Sequence, residues 1–253
     1  MIKFFRKIRY DLMEKNKTGK YLKYAVGEII LVVIGILIAL QINNWNGEQK
    51  IEKEEIGILH NLLESLYSAK EQSNREILEE NQLKQSLLIA LGKNSNKNKF
   101  SINTISDSLF YDIIWNSNPN VPVLNSYSDI KSSGKIGIIK NQDIRESFTE
   151  LELTLSDLTS MLQDRLTAQQ MRFDDIIVND VNFVRLLKMM EPNINIDDES
   201  QNNYSLILKN QKIRNLLALK LNLTYATIIH RQELGDEIDN LIQLLEVEID
   251  RDL

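Results

Sequence analysis

Residues 25–42 read AVGEIILVVIGILIALQI, eighteen positions with one ionisable side chain, Glu28. At about 1.5 Å per residue a helix of this length reaches about 27 Å, close to the roughly 30 Å of bilayer hydrocarbon. Its flanks suit a membrane. Lys20, Tyr21, Lys23 and Tyr24 precede the run and Trp45 follows it, which puts aromatic rings at both interfaces and lysines where they can snorkel toward headgroups. A buried helix of a soluble domain needs neither a basic flank nor an aromatic residue at each boundary. Residues 25–44 are therefore read as a transmembrane helix.

Charge gives this helix a direction. Residues 1–24 carry eight basic and two acidic side chains, whereas from residue 43 onward there are 22 basic against 33 acidic ones. The positive-inside rule then places the N-terminus in the cytoplasm and the acidic remainder outside it. A cleaved signal peptide fits less well, because the apolar run is too long and is followed by QINNWN rather than by small residues. Within residues 1–24, Ile2, Phe5, Ile8 and Leu12 recur at three- and four-residue steps between Lys3, Arg6, Lys7 and Asp11, the pattern of a short basic amphipathic helix at the membrane surface. The expected organisation is a basic cytoplasmic segment (1–24), a membrane helix (25–44) and an exported domain (45–253).

The stretch FFRKIR at 4–9, then TGKYLKYAVGEIILVVIGILIALQINNWN at 18–46, resembles the N-terminal signature of a single-pass membrane family of Bacteroidota, the domain-of-unknown-function 6090 family. The segment SYSDIKSSGKIGIIKN at 126–141, with Ile144 and Arg145, is similar to that family's middle motif. The resemblance implies a host with two membranes, hence an inner-membrane anchor and a periplasmic exported part. It brings no activity, substrate or catalytic residue with it.

The exported part reads as all-α, an extended helical bundle. Nine Gly and three Pro in 253 residues are too few for the turn density of a β-sandwich or barrel. Ile56, Leu59, Leu63, Leu66, Ser73 and Ile77, then Leu83, Leu87 and Leu91, continue one apolar face from the membrane helix to a stop at Gly92, with Lys70 and Ser73 as polar interruptions. A short helix is expected at 103–115, another at 125–133 stopped by Gly134, and a long one beginning at an Asn141 N-cap with Asp143 in its first turn. In that long helix Ile144, Phe148, Leu151, Leu155, Leu158 and Leu162 alternate by four and three, a heptad seam that favours lengthwise packing, with Leu166, Phe173 and Ile176 continuing it after a change of phase. After a polar loop at 192–203, Leu217, Leu221, Ile228, Leu234, Ile238, Leu241 and Leu245 mark the last helix. Four or five long helices are expected.

Catalytic apparatus is not visible in the sequence. With no Cys and two His (His60, His230), thiolate chemistry, disulfides and histidine-rich metal sites are excluded. SSGK at 132–135 lacks the phosphate-loop pattern, since Asp129 stands where its first glycine belongs and Ile136 where its Ser or Thr belongs. Asn193, Asn195, Asp197 and Glu199 alternate like calcium-loop oxygens, but Asp198 replaces the turn glycine and Tyr204 the bidentate Glu. Asp174, Asp175 and Asp180 read as a solvated face, and no Ser or Thr stands in a nucleophile motif. The acidic exported part disfavours nucleic acid. The expectation is a protein that is not an enzyme and needs no cofactor or metal.

What remains is the membrane helix itself. Glu28, Val32, Gly35 and Ala39 fall on one stripe, which combines a carboxylate with a small-xxx-small pair for close helix approach. This stripe is the candidate packing face, toward a second copy or a partner membrane protein. Two other roles are compatible with the sequence: a transport or energy-coupling subunit that uses Glu28, and a periplasmic sensor with a ligand site between helices.

Overall fold

The computed structural model describes Tyr10, residues 18–93 and residues 105–251. The amphipathic segment expected at Ile2, Phe5, Ile8 and Leu12 lies outside the described residues. Among those described there are helices, turns and no strand. The long helices are α1 (Thr18–Ala90), α4 (Gln142–Asn179) and α7 (Gln211–Arg251). Shorter ones are α2 (Asp107–Trp115), α3 (Asn125–Ser132), α5 (Phe183–Leu186) and α6 (Tyr204–Ile207). Three long helices thus stand where four or five were expected.

Two compact units divide the chain, Met1–Gly57 and Ile58–Leu253, and α1 contributes to both. In the first unit the apolar residues of α1 from Ile29 to Ile42 each keep about half of their surface exposed. One described helix, then, is long and apolar enough to cross a membrane, and none of its apolar window is buried.

The helix ends follow the local chemistry. α1 stops in a Schellman arrangement: Gly92 takes φ +67°, its N–H donates to Ile89 O (3.0 Å), and Lys93 N–H reaches back to Leu88 O (2.8 Å). Gly134, at φ +71°, closes α3, with its N–H on Lys131 O. SSGK is thus a helix stop followed by a 3₁₀ turn, Lys135–Ile138. Asn141 caps α4, its side-chain oxygen accepting from Asp143 N (3.0 Å) and Ile144 N (3.4 Å). α2 begins at Asp107, later than expected, because the Ser106 hydroxyl accepts from Leu109 N (3.1 Å) and leaves buried Ile105 before the cap.

The second unit has two apolar clusters. One joins Leu59, Leu62 and Leu66 of α1 with Ile144 to Leu162 of α4 and Leu234 to Ile249 of α7. Tyr127 of α3 stacks on Phe148 there (centroids 4.7 Å apart, planes 6° apart). The other joins Leu83, Leu87 and Ala90 with Phe110 and Ile113 of α2, Phe173 and Ile176 of α4, and Ile213 and Leu217 of α7. Its rim is tied by Tyr204, whose hydroxyl donates to the Asp107 carboxylate, while Arg185 Nε stands 3.4 Å from the same carboxylate. In the 192–203 loop the Glu199 carboxylate accepts from Asn182 Nδ2 (2.8 Å), so it is engaged in joining two loops rather than in a cation loop.

Where α7 passes α1, Gly235 faces Ser73 and Ile77. A Cβ added there meets Ser73 Oγ at 3.6 Å and Ile77 Cδ1 at 3.9 Å, ordinary contact distances. Glycine inside a helix is disfavoured against alanine by roughly 0.5–1 kcal/mol. Gly235→Ala is therefore expected to raise the thermal midpoint by roughly 1–4 °C. A drop in midpoint, read by circular dichroism, would show that the helices need the bare glycine.

Candidate functional site: a charged layer inside the bundle

In α1 and in α7 a stripe of buried positions keeps a three-and-four rhythm without a break. In α1 they are Leu59, Leu62, Leu66, Ala69, Ser73, Glu76, Glu80, Leu83, Leu87 and Ala90. In α7 they are Ile213, Leu217, Lys220, Thr224, Thr227, Arg231, Leu234, Ile238, Leu241 and Leu245. In α4 the seam from Ile144 to Leu162 runs on to a buried Arg165. The rhythm is that of a coiled-coil seam, but its middle is polar. Between the two apolar clusters the register brings together Glu76, Glu80, Arg165, Lys220 and Arg231, each no more than 5% exposed.

Their geometry is tightly specified. Arg165 meets Glu80 as a fork, Nη1 to Oε2 and Nη2 to Oε1, both at 2.8 Å. The same guanidinium donates to Thr227 Oγ1 (3.1 Å) and to Asn118 O (3.0 Å). Arg231 donates through Nη1 to Glu76 and through Nη2 to Asn118 O (3.2 Å), with its Nε 3.7 Å from Glu80. Gln72 Nε2 bonds both Glu76 Oε1 and Val121 O, each at 2.9 Å. The link between α2 and α3, which carries Pro119 and Pro122, is thus held to the layer through two backbone carbonyls. Arg165 Nε, Arg231 Nε and Ser73 Oγ are buried without a hydrogen-bond partner.

Burial dominates the electrostatics. It pushes the Glu76 carboxyl above its usual range, although Gln72 and Arg231 pull the other way. It works against the Arg231 guanidinium too, offset in part by Glu76 and Glu80. Lys220 is affected most: burial, then the charge of Arg165, bring its ammonium down to about 7, against the opposing pull of Glu80 and Asp112. Its Nζ donates to Ile114 O (3.1 Å) and sits over the Phe173 ring, 5.4 Å from the centroid.

The stripe expected on the membrane helix lies on one continuous helix, with Val32 exposed and open space beside Gly35. Trp45 and Lys23 are exposed, while the side chains of Lys20, Tyr21 and Tyr24 lie outside those described. His60 and His230 are both exposed, and among the described residues no group of His, Asp and Glu is placed to hold a metal ion. Asp180 caps the end of α4; the side chains of Asp174 and Asp175 lie outside those described.

The model of a family of unknown function, DUF6090, matches residues 28–158, a little over half of the chain. The protein belongs to this DUF6090 family. No curated protein and no solved structure matches the chain. The DUF6090 match contains the expected packing face, Glu28, Val32, Gly35 and Ala39, and the acidic half of the layer, Glu76 and Glu80, with Asn118. It ends before Arg165, Lys220 and Arg231, so the cations that neutralise those carboxylates come from beyond the matched segment. In this DUF6090 chain the layer holds charge in fixed pairs.

Proposed function

We propose that this protein is a non-enzymatic, single-pass anchor of the bacterial inner membrane, with a cytoplasmic N-terminus and a periplasmic helical domain that acts through protein contacts. The observation that carries the reading is the uncovered apolar surface of α1 between Ile29 and Ile42, which water would leave unsatisfied and a bilayer covers. The charge contrast across that segment supports the orientation. Assembly uses the stripe of Glu28, Val32, Gly35 and Ala39, where small residues let a second helix approach closely.

The chain has no cysteine, so single cysteines report cleanly. Ala39→Cys is expected to give a disulfide-linked dimer in native membranes, and Leu37→Cys, about 200° away around the helix, far less of it. Alkaline carbonate washing is expected to leave the chain in the membrane pellet. Exclusively monomeric Ala39→Cys would reject the assembly face. Release of the intact chain into the supernatant would reject the anchor.

A further inference from the structure

Beside the charged layer, α2 and α4 enclose a groove of about 470 Å³, within the roughly 300–1,000 Å³ usual for small-molecule sites. Tyr111, Trp115, Phe173 and Ile177 supply its apolar walls, and Trp115 is 51% exposed. Tyr111 and Trp115, four residues apart on α2, stack with centroids 6.4 Å apart. One lining residue is charged, Asp112, and it forms no salt bridge with any described residue.

Three further features give the groove a sign. It lies at the C-terminal end of α2, the negative end of the helix dipole, and the last turn of that helix carries no basic residue. The one lining residue with an unmatched buried polar atom is Gln169. Its Nε2 donates to Trp115 O (3.3 Å) while its Oε1, an acceptor, has no donor. The buried cation coupled to Asp112, Lys220, is turned to Ile114 O, and burial weakens its hold on a proton near neutral pH, so it offsets the Asp112 charge only in part.

We infer that this groove binds a small organic cation with an apolar or aromatic body, its ammonium held by the Asp112 carboxylate and the faces of Trp115 and Tyr111. A carboxylate beside two electron-rich rings is the arrangement that recognises such cations, each ring contributing through its quadrupole. An anionic ligand would meet the Asp112 carboxylate and the negative end of the α2 dipole. The inference does not depend on the membrane reading, since every residue it uses lies in the second unit.

The chain has two tryptophans, so Trp45→Phe leaves Trp115 as the reporter within the groove. The full-length variant in mild detergent is titrated near neutral pH with 2-phenylethylamine and, in parallel, with its neutral counterpart 2-phenylethanol. The amine is expected to change Trp115 fluorescence saturably, with a midpoint at least about tenfold lower than the alcohol's, the difference an ion pair and cation–π contacts supply together. Asp112→Asn in the same background is expected to raise the amine midpoint roughly fivefold with the helical circular dichroism unchanged. Three results each overturn the inference: no saturation by the amine up to roughly 10 mM, equal midpoints for amine and alcohol, or an Asp112→Asn midpoint within about twofold of the parent.

Discussion

Glu80→Leu is expected to cost about 3–5 kcal/mol, a large share of the roughly 5–15 kcal/mol that holds a domain of this kind together. The carboxylate receives both outer nitrogens of Arg165 and faces Arg231 Nε. Removing it leaves two guanidinium groups in a buried layer with Glu76 as the one remaining layer carboxylate. They cannot shed their protons to escape, because arginine does not deprotonate in proteins. The change is read as a shift in urea midpoint of the full chain in mild detergent, followed by Trp115 fluorescence. A loss below about 1 kcal/mol would mean that Glu80 is not what balances these cations.

The companion variant separates stability from specificity. Replacing the four paired residues together (Glu76→Leu, Glu80→Leu, Arg165→Met, Arg231→Met) removes every desolvated charge of the two pairs, and is expected to recover most of that loss. What it gives up is the hold on Asn118 O, an acceptor left short of donors at about 1–3 kcal/mol, and the register. Purely apolar seams on α1, α4 and α7 tolerate a slide by one heptad, but a slide that takes Arg165 from Glu80 strands both charges. The layer thus selects one alignment of the three helices, and it holds the 116–124 link against them.

Much of this fold is legible in the chain because its signals are local. Gly92, Gly134 and Asn141 act through their own backbone conformation or reach, and each ends or starts a helix where its neighbours predict. The seam from Ile144 to Leu162 declares itself through transfer free energy. The layer does not. Hydropathy assigns Glu76, Glu80, Arg165, Lys220 and Arg231 to the outside, since each is costly to bury alone, and what reverses that cost is a partner some 62 to 155 residues away in sequence.

A signal for the layer was nevertheless present. The three-and-four rhythm carries through Ser73, Glu76 and Glu80 and through Lys220, Thr224, Thr227 and Arg231 without a skipped step. Following apolar residues alone favours Leu63, Ile77 and Leu221, which are half-buried, over the true inward positions. The groove beside α2 had no sequence signature, because its walls come from segments about fifty residues apart and its sign depends on which of their charges are already engaged.

Lys220 makes the stability of the helical domain depend on pH, in a direction opposite to that of an ion-paired lysine. Its folded-state pKa lies near 7, below the 10.5 of a free side chain, because burial disfavours the ammonium and Arg165 adds repulsion, with Glu80 and Asp112 opposing both. Between those values the unfolded chain binds a proton that the folded chain has released, so unfolding becomes harder as pH rises. The gain is at most about 1.4 kcal/mol per pH unit, over a window from about 7 to 10.5. From about pH 10 upward Tyr204 acts in reverse: burial and the Asp107 carboxylate hold its phenol protonated in the folded state, so further alkali favours unfolding. Lys220→Met keeps an unbranched apolar stem and removes the titrating group that reaches Ile114 O and the Phe173 ring, though Ile114 O then lacks its donor. The wild-type urea midpoint is therefore expected to climb between pH 7 and 9, and that of Lys220→Met to stay level. Parallel climbs in the two proteins would place the titration elsewhere. A level wild type would mean that Lys220 keeps its proton in the fold, and the layer would then carry one more positive charge than its two carboxylates can balance.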